Sequence, residues 1–150
     1  PLTSIELLPE IFDESSSLDE VDDFQLIGNP SSQILKVIDL EVVNERLYSQ
    51  LFRSLCPVTG QPDWATFQIQ YSGVKIDNKS LLEYLCSFRS HASYHEDCGE
   101  KIFYEISERC EPVDLTISLN FLRRGGVDIN VHRSTKKTIL KANQSRLIRQ

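Results

Sequence analysis

One turn-rich stretch, Cys56-Pro57-Val58-Thr59-Gly60-Gln61-Pro62-Asp63, brings a thiol and a carboxylate close together. A cysteine at the end of a strand, beside Pro and Gly, is displayed rather than packed, and only its thiolate is a strong nucleophile. An unperturbed thiol ionises near ~8.5, so a neighbouring base such as Asp63 would help it at neutral pH. The same residue types also fit a quieter role, with Cys56 as a small buried hydrophobe and Asp63 as a turn former after Pro62.

A second titratable run is His91-Ala92-Ser93-Tyr94-His95-Glu96-Asp97. Glu96 could accept paired N–H donors of a ligand, with His95 orienting it or donating a proton. Carboxylates at a helix start also serve as caps and complements of the helix dipole. His95 and Cys98 are three apart, and Cys56 could complete a zinc set. However, Cys98 shares a stripe with Ile102 and Ile106, the place of a core thiol, so no metal is expected. A third feature is Arg123-Arg124-Gly125-Gly126, where glycines let a backbone approach a ligand and arginine offers a planar fork for phosphate. Gly-Gly in a hairpin with surface arginines reads the same way.

These groups must be held by regular elements. Ala65, Phe67, Ile69 and Tyr71 alternate with polar residues, the period of a half-buried strand. From Asn78, an expected N-cap, Leu81, Leu82, Leu85 and Phe88 follow helical spacing to about Ser90. A second helix is expected from near His95, with Cys98, Ile102, Ile106 and Cys110 spaced by four, ending before Pro112. Leu115, Ile117, Leu119 and Phe121 form another strand, and Gly125-Gly126 mark a turn or bulge before a strand through Val127, Ile129 and Val131. The segment from Ile34 to Leu55 also reads as strand. The order is two strands, two helices, two strands. It predicts an α+β fold, an antiparallel four-stranded sheet with both helices layered on one face.

The 150 residues, 40% hydrophobic and 25% charged, suit a single compact domain and exclude disordered, collagen-like or fibrous classes. No apolar run approaches the ~20 residues of a membrane span and no signal peptide is evident, so a cytoplasmic protein without a membrane partner is expected. The four cysteines, Cys56, Cys86, Cys98 and Cys110, form no CxxC pair, and free thiols are expected. Residues 1–45 carry 11 acids against Lys36 alone, whereas Phe121–Gln150 carry eight bases against Asp128 alone. The basic end would suit a phosphate-bearing partner or simply be solvated surface. Residues 1–32 read as an acidic linker or surface loop, and residues 33–150 as the compact domain. A chain that opens at Pro1 and holds no methionine reads as lacking an upstream part.

Three stretches together, Leu55–Asp63 (LCPVTGQPD), Tyr84–Cys98 (YLCSFRSHASYHEDC) and Arg123–Ile129 (RRGGVDI), resemble the NADPH-dependent 7-cyano-7-deazaguanine reductases, the nitrile reductases of queuosine biosynthesis, a tRNA-modification pathway. The resemblance covers about residues 45–150. It implies a tunnelling fold (T-fold), shared with GTP cyclohydrolases. It also implies that Cys56 attacks the nitrile carbon to give a covalent thioimide, which two hydrides from two NADPH carry to the aminomethyl product. Asp63 would pass protons to the substrate nitrogen, His95 and Glu96 would hold the deazapurine, and Arg124 and Gly125 would contact NADPH.

One stretch departs from the family pattern. Where the family carries Glu-Ser-Lys-Ser and a further lysine, this chain has Asp77-Asn78-Lys79-Ser80, with Glu83 at the later lysine position. A carboxylate there would repel cofactor phosphates. In the tandem-domain branch that motif lies in the first half and the nucleophile in the second. The chain therefore resembles the second half, whose partners would be an N-terminal T-fold half and further copies in a homo-oligomer, without direct contact to nucleic acid. The rival readings are a thiol hydrolase using Cys56 and His95, and a non-catalytic binding module of the same fold.

Overall fold

The computed structural model describes residues 15–136; the acidic opening before Ser15 and the basic residues beyond Lys136, among them Lys137, Lys141, Arg146 and Arg149, lie outside the described residues. The described chain is an α+β fold. Strands β1 (Ser16–Ser17), β2 (Val37–Leu55) and β3 (Pro62–Ile76) precede helices α1 (Asn78–Cys86) and α2 (His95–Cys110), and strands β4 (Asp114–Phe121) and β5 (Asn130–Ser134) follow. The strands form one sheet in the order β1-β2-β3-β4-β5.

The alternation read from the sequence becomes a continuous apolar face. Ala65, Phe67, Ile69 and Tyr71 of β3 stand opposite Phe121, Leu119, Ile117 and Leu115 of β4, and all eight are buried. Residues in register across a ladder share a face. Phe52 of β2, opposite Ala65, belongs to the same face. The Phe52 ring lies 5.5 Å from Phe88, just after α1, and Phe121 is covered by His95 of α2. Both helices therefore cover one side of the sheet, burying Leu81, Leu82, Leu85, Cys98, Ile102 and Ile106 there. Cys86, Cys98 and Cys110 are buried, and all four cysteines are free. Among the described residues, no helix is long and apolar enough to cross a membrane.

Four differences from the sequence reading have local causes. The sheet has five strands, because Ser16–Ser17 pairs in parallel with Leu47–Tyr48 outside the expected four. The following Leu18 is fully buried, and the Asp19 carboxylate accepts from Ser49 Oγ (2.6 Å) and from the Gln50 backbone N–H (2.8 Å), beside an irregularity in β2. The first helix is capped by Asp77 rather than Asn78: the Asp77 side chain accepts from the Ser80 N–H at 2.9 Å, a reach a residue already inside the helix lacks. Its expected last turn, Ser87–Ser90, tightens into a 3-10 helix. Finally, β5 begins at Asn130 rather than Val127. Gly125 and Gly126, with φ of 55° and 81°, make a two-residue turn closed by Arg124 and Val127, which exchange N–H···O bonds of 3.1 and 2.9 Å. That small hairpin stands apart from the β4–β5 ladder and sets where Arg124 sits.

Candidate active site

The site is built where the β2–β3 hairpin ends. Leu55 pairs with Pro62, and the turn between them is closed by Cys56 N–H to Gln61 O (2.8 Å) and Gly60 N–H to Cys56 O (2.9 Å). Gly60 has φ of 69°, a left-handed conformation that glycine adopts without Cβ strain. Thr59 Oγ1 accepts from the Gln61 N–H at 3.3 Å and stiffens the turn further.

Cys56 is partly exposed at the head of this turn. Its thiol is lowered from 9.0 to about 6, first by the Thr59 hydroxyl, then by the backbone of Thr59 and Val58, then by the Arg124 guanidinium. Hydrogen bonds donated to a thiolate favour its charged form, and little burial opposes them here. A thiol lowered to about 6 favours the thiolate at neutral pH.

Asp63 does not lie in the loop, as its position after Pro62 suggests. It is the second residue of β3, opposite Ser54, and strand alternation turns it to the helix-covered face beside Ala65, where its side chain is 3% exposed. Both carboxylate oxygens are engaged. Oδ1 accepts from Arg124 Nη1 at 2.8 Å, and Oδ2 lies 3.2 Å from His95 Nε2. A buried carboxylate needs such partners, because an unpaired charge there is costly.

His95 opens α2, and its imidazole stacks on the Phe121 ring with centroids 3.9 Å apart and planes 12° from parallel. The face toward Asp63 is thereby fixed. A short parallel bridge brings the helix start to the thiol turn. Leu55 bridges Ala92, with Leu55 N–H donating to His91 O (2.9 Å) and Ser93 N–H donating to Leu55 O (3.0 Å). Glu96, next along the first turn, is exposed, where a carboxylate also complements the helix dipole.

Arg124 crosses from the β4–β5 connection to the same turn. Beyond Asp63 it donates through Nη2 to Gln61 Oε1 (2.7 Å) and Thr59 Oγ1 (3.2 Å). Its neighbour Arg123 donates instead to Gly126 O (2.7 Å) within its own turn. Gly125 is exposed, with no heavy atom within 4 Å of where a Cβ would stand. Cys56, Asp63, His95 and Arg124 are thus gathered at one end of the sheet, with Glu96 and Gly125 on its rim.

Three contributors escaped the sequence reading. Thr59, the strongest influence on the thiol, was signalled only as a hydroxyl three residues after a cysteine in a Gly-containing turn. Phe121 read simply as the last apolar position of a strand. The Leu55–Ala92 bridge left no local pattern, since it joins segments 37 residues apart. Cys98, once weighed as a metal ligand, is fully buried, and burial pushes its thiol up. Among the described residues, no group of three or more His, Cys, Asp or Glu side chains is placed to hold a metal ion.

Fold and site together define an α+β domain in which a half-exposed Arg124 links the turn carrying Cys56 to a buried Asp63–His95 pair. A family model described as "QueF-like protein" matches residues 62–139, and the chain belongs to that family. It is 46% identical over 145 residues to the NADPH-dependent 7-cyano-7-deazaguanine reductase of Albidiferax ferrireducens, covering 91% of this chain and 50% of that protein. The reductase of the same name from Stenotrophomonas maltophilia is 46% identical over 135 residues, and that of Coxiella burnetii 42% over 136. The chain spans about half the length of the curated relatives it matches. A crystal structure of the apo archaeosine synthase QueF-Like shares the fold at TM-score 0.54 and 15% identity, over 65% of this chain and 95% of that one.

Proposed function

We propose that this chain is the thiol-bearing T-fold half of an NADPH-dependent 7-cyano-7-deazaguanine reductase, acting with a second, N-terminal T-fold half in an assembly of like domains. The single observation that carries the reading is that the Arg124 guanidinium, which helps lower the Cys56 thiol, also holds Asp63. A sulfur anion adds to the electrophilic carbon of a nitrile, and the new C=N nitrogen takes up a proton, giving a neutral thioimide. Asp63 is the group that would relay this proton. Its Oδ2 faces His95 Nε2, so the carboxylate can exchange a proton with the imidazole while Arg124 holds the other oxygen. Glu96 would accept from the N–H groups of the deazapurine, with His95 beside it setting the ring's place.

Two NADPH, bound in turn, would supply one hydride each to take the bound carbon to the amine, with the C–S bond breaking along the way to return the Cys56 thiolate. The fit of this half to that cofactor is partial. Exposed Gly125 leaves open backbone for a ligand to approach, and the Arg124 side chain is 37% exposed. In the Asp77–Glu83 stretch, by contrast, Lys79 is exposed while several of its neighbours are already engaged within the chain. Asp77 caps α1, Ser80 Oγ accepts from the Lys36 N–H at 3.0 Å, and Glu83 Oε1 accepts from the Gln25 N–H at 3.0 Å. Further cofactor-binding cations would come from the N-terminal half.

The network favours this reading over a thiol hydrolase, since His95 lies against Asp63 and the groups that lower the Cys56 thiol are Thr59, Val58 and Arg124. Intact mass spectrometry of the chain with its N-terminal half, incubated with 7-cyano-7-deazaguanine, should show a gain equal to the nucleobase. Absence of that adduct, with the cofactor left out so that it cannot turn over, would overturn the proposal.

A further inference from the structure

The family resemblance assigns Arg124 to the cofactor, yet its guanidinium is already committed. It touches Thr59 and Gln61, two positions of the turn that displays Cys56, and Asp63 at the start of the strand that follows. We infer that Arg124 is a positioning residue for Cys56: it staples the β4–β5 connection onto the β2–β3 turn and supplies the fixed cation beside the sulfur. The inference rests on Cys56 being the nucleophile, but it assigns Arg124 work that precedes any ligand.

The surrounding charges leave that role to Arg124. Asp63 on β3 has both oxygens engaged. From the segment before α2 comes His91, held below its usual value by burial and so neutral near pH 7. From α2 come His95, facing Asp63, and the exposed Glu96. From the β4–β5 connection, Arg123 is drawn to Gly126 O and to Asp128, 3.9 Å away. Arg124 is the permanent cation among them that reaches the turn, and its planar fork offers five N–H donors in a fixed geometry where an ammonium has three that rotate. The sulfur's lowered ionisation, to which Arg124 contributes, agrees with this geometry. The two-residue glycine turn makes the reach possible, because it reverses the chain immediately after Arg124.

The test is the pH dependence of Cys56 alkylation by iodoacetamide, read by peptide mass spectrometry on the 150-residue chain without nitrile or cofactor. The native midpoint should lie at about 6. Arg124→Gln should raise it by about one unit or more, slowing alkylation at pH 6 about fivefold, as expected when a cation beside an ionising group is removed. Arg124→Lys, which keeps the charge but not the fork, should recover part of the shift. Thr59→Val should raise the midpoint as well and shows that the assay senses the turn should Arg124→Gln fail to fold. In that event Arg124→Lys decides: a native midpoint overturns the inference and an intermediate one supports it. An unchanged midpoint in folded Arg124→Gln, with a raised KM for NADPH in the assembled enzyme, would make Arg124 a cofactor contact only and overturn the inference. A shifted midpoint without any nitrile adduct would sink the reductase reading and leave this one standing.

Discussion

Cys56 and Cys110 are the same side chain in opposite surroundings. Cys56 stands at an open turn, and donated hydrogen bonds bring its thiol down to about 6. Cys110 ends α2 in the core, and burial pushes its thiol up to about 11. Cys86 and Cys98 are pushed up for the same reason. Identity of residue does not set how readily a thiol ionises; what faces the sulfur does. The signs of their pH linkage also oppose. Stability from ionising Cys56 is present above pH 9.0 and fades as pH falls through about 6, whereas that from keeping Cys110 neutral is present below 9.0 and fades as pH rises through about 11.

The contrast can be broken most completely at Cys56 itself. Cys56→Ala should abolish both the nitrile adduct and the fast phase of alkylation, and a surviving adduct on another cysteine, located by peptide mapping, would erase the distinction between the two environments. Next in size, Asp63→Asn should leave the adduct-forming thiol in place but slow its formation about 100-fold or more in single-turnover kinetics, the scale of a lost proton relay. Equal rates would remove Asp63 from the chemistry. Glu96→Ala should weaken deazapurine binding by roughly 1.5–3 kcal/mol, the range for a hydrogen bond to a charged group, measured by calorimetry with the non-reactive Cys56→Ala chain. Smallest of all, Cys98→Ala should cost about 1 kcal/mol in urea unfolding and leave the Cys56 alkylation midpoint where it was. A shift of that midpoint would mean the core thiol and the turn thiol are not independent.

Much of the fold is legible in side-chain periodicity. The alternation from Ala65 to Tyr71 and from Leu115 to Phe121, and the four-residue spacing from Cys98 to Cys110, are written directly into the chain because each element buries one face. What periodicity cannot carry is pairing with short or irregular partners. The two-residue β1 and the Leu55–Ala92 bridge are fixed by contacts between distant segments. Cys56 and Asp63 were readable as a pair by type and spacing, but placing Asp63 in a loop overlooked that Pro62 can begin a strand and that the next residue then faces inward. His95 was visible as a titratable residue at a helix start, and its stacking on Phe121 was not, since nothing local joins residues 26 apart across two elements. Arg124 illustrates the remainder: its fork suits phosphate by chemistry alone, and only the turn opposite shows how many oxygens it already holds.

The narrow parallel bridge between Leu55 and Ala92 has one more consequence. Because it fastens the last residue before the thiol to the approach of the helix carrying the imidazole, its two amide protons act as a gauge of whether those halves stay engaged. Deuterium should enter Leu55 and Ser93 slowly despite their nearness to solvent, and any lesion that lets the thiol turn drift from the start of α2 should first be felt as faster exchange there.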